Sequence, residues 1–226
     1  MWLPQREAPG RYRGSRSKAT ANRAPDGARV ACGSARGIRV VDLVSGAERA
    51  LTDGADRSPC WSPDGRTLAF VRGATGARAL HVVPAAGGPP VRLQTTDEAF
   101  DPAWSPDGRR LACALGAAGR TRVAFLTLAG ATVAAIARSG VTPFSAASPR
   151  WRADGRGVVY LEDRRDGGNV IVRRLFVASH TDTPAADRPG AHASPCLGPD
   201  SESLVYVLGN ELWAQPRRGV EPRRLF

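Results

Sequence analysis

Lysine is all but absent from this chain. Lys18 is the only one, and every other member of the 32 basic residues is arginine. Set beside abundant alanine, 25 glycines and 18 prolines, this matches the codon bias of a GC-rich bacterial genome. The formal charge of +11 invites a nucleic-acid reading. The arginines are spread over the whole chain, in pairs such as Arg109-Arg110, Arg164-Arg165 and Arg173-Arg174, so the charge is discounted as a binding signal. Only residues 1–17 concentrate it, in an apolar-poor arm that is expected to be disordered; anionic surfaces or nucleic acid are its alternative partners. The arm lacks an apolar core of 7–15 residues, so no signal peptide is visible, and no apolar run reaches the 18 residues of a membrane span. The chain as written is expected in the cytoplasm, or in the periplasm or outside the cell if a signal peptide precedes a missed start.

Cysteine and histidine are scarce. Cys32, Cys60, Cys113 and Cys196 lie far apart, as do His81, His180 and His192, with none at metal-ligand spacing. The cysteines are expected to be buried free thiols, with no disulfide and no metal or other cofactor. No G-x-S-x-G, P-loop or dinucleotide fingerprint is present, and no stretch sustains a helical period, so the chain is expected to be all-β and not an enzyme.

What is present is a repeat. "CWSPDGRTLAFVRG" begins at Cys60, "AWSPDGRRLACALG" at Ala103, "RWRADGRGVVYLED" at Arg150, "CLGPDSESLVYVLG" at Cys196 and "NRAPDGARVACGS" at Asn22. The turn aspartates Asp26, Asp64, Asp107, Asp154 and Asp200 anchor five units at spacings of 38, 43, 47 and 46 residues. Trp61, Trp104 and Trp151 stand three residues before the anchor, with Leu197 and Arg23 in the other two units. Pro59, Pro102, Pro149 and Pro195 stand five before it. Asp64-Gly65, Asp107-Gly108 and Asp154-Gly155 supply a turn: the aspartate bonds the backbone ahead and the glycine accepts positive φ. The apolar run that follows suits a strand buried on both faces. Two further runs complete four strands per unit, except that "HTDTPAADR" in the fourth unit is too polar to be read as its outer strand.

The P-x-W-S-P-D-G element, followed by a β run and an "xRRL" ending, resembles the TolB-type β-propeller repeat, a WD40-like architecture. The resemblance covers residues 18–226, with blades at about 18–54, 55–97, 98–140, 141–190 and 191–226. It implies a propeller of about five four-stranded blades, or an incomplete six-bladed ring. A compact but imperfectly sealed five-unit array is the favoured form. It also implies a non-enzymatic scaffold that binds a protein or peptide. An accessory propeller or remnant of a hydrolase is the alternative. The tryptophans are read first as packing between blades. Variable handovers between units, opposite the turns, are the expected binding face, with Asp56, Arg57, Asp97, Glu98 and Asp101 as candidates.

Overall fold

A computed structural model describes residues 20–95, 97–117, 120–128, 132–136, 144–164, 169–176, 182–184, 192–217 and 219–226. The basic arm, the third-to-fourth handover at 137–143 and the loop at 165–168 lie outside these residues. All regular structure among the described residues is β. The first unit holds β1 (Ala21–Arg23), β2 (Arg29–Ser34), β3 (Gly37–Asp42) and β4 (Glu48–Ala50). The second holds β5 (Asp56–Trp61), β6 (Thr67–Arg72), β7 (Ala79–Pro84) and β8 (Val91–Arg92). The third holds β9 (Ala99–Trp104), β10 (Arg110–Ala117), β11 (Arg120–Thr127) and β12 (Thr132–Ile136). The fourth holds β13 (Phe144–Trp151), β14 (Gly157–Arg164), β15 (Asn169–Phe176) and β16 (Asp182–Pro184), and the fifth β17 (His192–Leu197), β18 (Leu204–Leu208), β19 (Glu211–Gln215) and β20 (Arg223–Arg224). Each unit is an antiparallel meander, and a single pair, Ser34 with Asp56, joins the first two into one sheet.

The stretch too polar to be read as a strand does form one: β16 pairs Asp182 with Leu175 and Pro184 with Arg173. Three residues on an outer edge need only backbone pairing, so side-chain polarity does not forbid them.

Alternation explains why the second strand of each unit is apolar throughout. Successive side chains of a strand point to opposite faces. In β6, Leu68 and Phe70 enter a core shared with the first unit, while Ala69 and Val71 enter a core shared with the third. In β10, Leu111, Cys113 and Leu115 face back and Ala112 faces forward; in β14, Val158 and Tyr160 face back and Val159 faces forward. Each gap between neighbouring units therefore has its own hydrophobic core.

The turn after each inner strand repeats with the same bonds. The aspartate carboxylates of Asp26, Asp64, Asp107, Asp154 and Asp200 accept from the amides of Ala28, Arg66, Arg109, Arg156 and Glu202 at 2.9–3.0 Å. Gly27, Gly65, Gly108 and Gly155 follow at φ of 67–70°, and Ser201 takes the same conformation at 60°.

Candidate functional site

Inner strands β1, β5, β9, β13 and β17 pack side by side in chain order. Beside the turns they enclose a cavity of about 540 Å³ lined by all five units. Asn22, Cys60, Ala103, Arg150 and Cys196, each four residues before the turn aspartate, contribute one residue per unit. Among the described residues β17 does not pack on β1 as the other neighbours pack on each other.

The tryptophans stitch the units together. Each indole Nε1 donates to the carbonyl of the preceding unit's channel-lining residue: Trp61 to Asn22 at 3.1 Å, Trp104 to Cys60 at 3.1 Å and Trp151 to Ala103 at 3.0 Å. Leu197 has no donor, so the last junction lacks this bond. Trp61 and Trp104 are buried and Trp151 is half-buried. An arginine three residues after one unit's turn aspartate covers the next unit's ring: Arg29 lies 4.8 Å from the centroid of Trp61 and Arg110 5.2 Å from that of Trp151.

The proline column marks a bulge. Register shifts fall between Arg57 and Cys60, between the partners of Ala112 and Ala114, between Ala147 and Arg150, and between Ala193 and Cys196. The shift leaves a residue outside the ladder, where proline's missing N–H costs nothing. Just before the proline, Ser58, Asp101 and Ser148 take positive φ of 51°, 47° and 51°. Their polar groups bridge units. The Ser58 amide donates to Thr20 Oγ1 at 2.7 Å, the Ser58 hydroxyl to Asp101 at 3.3 Å, and the Ser148 amide to Asp101 at 3.2 Å.

The five candidates of the handovers have distinct environments. Asp56 is buried; its carboxylate takes two bonds from Arg72, at 2.7 and 2.8 Å, and one from the Thr52 hydroxyl. Glu98 accepts from the Gly76 and Arg78 amides at 2.7 and 3.0 Å, and these backbone bonds hold its carboxyl below the usual range. Asp97 pairs with Arg122 at 2.7 Å, and Asp101 bridges the serines. Arg57 is exposed and has no side-chain partner among the described residues.

The expectation that every cysteine is buried needs correction. All four are free, but only Cys113 is buried, which pushes its thiol up to about 12; Cys32 and Cys60 are half-buried and Cys196 is exposed. Sequence reasoning missed Arg150, which lines the cavity and among the described residues bonds the Pro149 carbonyl at 2.9 Å. Its position in the same column as Asn22, Cys60 and Cys196 was the available signal. Among the described residues no three His, Cys, Asp or Glu side chains group as metal ligands.

Solved structures share this arrangement. A protein assigned as TolB from Agrobacterium tumefaciens superimposes with a TM-score of 0.76 at 17% identity, covering 92% of this chain and 80% of that one. The fold is a TolB-type β-propeller. TolB from Acinetobacter baumannii gives a TM-score of 0.71 at 20% identity, over 92% of this chain and 57% of that one. Oligogalacturonate lyase in complex with manganese gives 0.69 at 14% identity, over 91% of this chain and 63% of its own. At such identities the likeness is one of fold. No protein-family model matches the propeller sequence, and no curated protein does.

Proposed function

We propose that this propeller is a non-enzymatic scaffold that binds a protein or peptide segment at one face, with the segment's acidic group seated at Arg150. The observation that supports the reading is the central cavity. Its volume lies within the range of ordinary ligand sites, all five units line it, and Arg150 supplies a cation with no acidic partner among the described residues. Arg57, Asp97, Glu98 and Asp101, at the other end of the inner strands, are the second candidate patch. Capture from the source cell compares wild type, Arg150→Glu and the Asp97, Glu98, Asp101 triple alanine variant. Loss of the same captured protein with Arg150→Glu alone supports the channel; loss with the triple variant alone moves the site to the handovers. Equal capture by all three removes both.

The likeness to oligogalacturonate lyase favours a second reading, catalysis on a propeller. It expects turnover of oligogalacturonate by the purified chain, and its absence removes that reading.

A further inference from the structure

Four equivalent residues, Trp61, Trp104, Trp151 and Leu197, line the cavity, and the amide of one of them is capped. The amides one step later, of Ser62, Ser105, Arg152 and Gly198, donate to the carbonyls of Thr67, Arg110, Gly157 and Ser203 at 2.8–2.9 Å. Antiparallel ladders alternate bonded and unbonded rungs. The four cavity residues therefore stand on unbonded rungs, opposite Leu68, Leu111, Val158 and Leu204. Their amides turn away from their own sheets, toward the preceding inner strand. At the first junction the Trp61 amide donates to Asn22 Oδ1 at 3.0 Å. At the later junctions Cys60, Ala103 and Arg150 take the place of Asn22, and none has a side-chain oxygen. Among the described residues no side chain accepts from the amides of Trp104, Trp151 or Leu197.

The mismatch is greatest at the last junction. There Arg150, a donor, stands where Asn22 supplies an acceptor, and the Leu197 amide before it is a second donor. The cavity extends to this junction, where residues 150–153 and 196–199 line it, and leucine leaves room that an indole would fill. Arg152, the other cation of the lining, is already paired with Asp154 at 2.8 Å and Glu202 at 3.0 Å. Further along the inner strands, away from the turns, Thr20, Ser58, Asp101 and Ser148 bond across units one to four, and none of them lines the cavity. This bonded tier stands between the cavity and the opposite face, and it carries the Asp101 carboxylate. A chain entering beside the turns with an acidic group stops below it.

We infer that the cavity takes the free C-terminal carboxylate of a peptide, with one oxygen bridging the Leu197 amide and the Arg150 guanidinium in the place that Asn22 Oδ1 holds at the first junction. Guanidinium and backbone N–H donors together form strong, charge-assisted bonds to a carboxylate, and backbone donors are a recurring means of capturing a chain terminus. The inference rests on the reading that Arg150 seats an acidic group, and names that group as a chain end rather than an internal side chain.

The test titrates three peptides into the isotope-labelled full chain by NMR: acetyl-Ala-Leu-Leu with a free C-terminus, the same peptide as its C-terminal amide, and acetyl-Ala-Asp-Leu-amide, whose acid is internal. The free acid is expected to bind one site at least about tenfold more tightly than either amide and to move the Leu197 amide resonance downfield. Arg150→Leu is expected to bring the free acid down to the level of its amide. Arg150→Asn supplies the acceptor that Asn22 gives Trp61, so it is expected to abolish the preference and to slow hydrogen exchange at the Leu197 amide. Either variant serves if the other fails to fold. Equal binding of free acid and amide, no binding of any peptide, or tight binding of the free acid that leaves Leu197 unmoved or survives the Arg150 variants would overturn the inference. Binding of the internal aspartate as tight as that of the free acid, lost with Arg150→Leu, overturns the inference and leaves the channel reading standing. No peptide binding together with partner capture unaffected by Arg150→Glu removes both.

Discussion

Trp104 does two jobs. Its ring fills the core between the second and third units and its Nε1 donates to Cys60. Trp104→Ala is expected to cost ~3–5 kcal/mol in urea unfolding, the usual loss for a buried large aromatic. Trp104→Phe keeps most of the volume and loses the bond, so ~1 kcal/mol is expected. Equal losses for the two variants would mean the bond dominates. Asp56 poses the opposite problem, a buried charge. Its carboxylate is neutralised by Arg72. Arg72→Met strands that charge and is expected to cost about 3–5 kcal/mol, while adding Asp56→Asn should restore part of the loss. A double-mutant cycle reads this coupling directly.

At the scale of the element, the turns make the units sensitive to acid. Asp64 and Asp107 are held below the usual carboxylate range first by the Ser62 and Ser105 hydroxyls, and Asp154 first by Arg152. Backbone amides of Ala28 and Ser203 do the same for Asp26 and Asp200. A carboxyl whose folded pKa lies below its unfolded value stabilises the fold above the unfolded value and loses that contribution as pH falls through the folded one. Tm is therefore expected to be level between pH 7 and about 5 and to fall below about pH 4. A Tm unchanged down to pH 3 would show that these bonds do not favour the folded state. The element scale also explains the inner-strand prolines, because the bulge gives a residue without an N–H a place in a central strand.

The whole molecule is an array whose ends do not meet among the described residues. Four junctions have continuous cores, and the first and last units show no comparable contact. Leu43, Val44, Leu225 and Phe226 are large apolar side chains exposed in these end units. Small-angle scattering of the monomer is expected to give an open, horseshoe-like profile, with association rising with concentration as exposed apolar surface is covered. A closed disc profile at all concentrations would overturn this. The chain spans 80% and 57% of the lengths of the two TolB structures.

By itself the sequence determined the repeat, the turn chemistry and the all-β propeller class. These are local or periodic properties. A glycine at positive φ, an aspartate bonding two residues ahead and a strand apolar on both faces act within one unit, and five copies in phase make the signal unmistakable. Only the tertiary structure decided which side chains from different units meet. Arg29 over Trp61 and Arg110 over Trp151 join residues of different units, so no local pattern announces them. Asp56 looks like a polar loop residue in the sequence and is buried, because Arg72 reaches it from the next strand. Cys196 shares a column with Cys60 yet stands exposed.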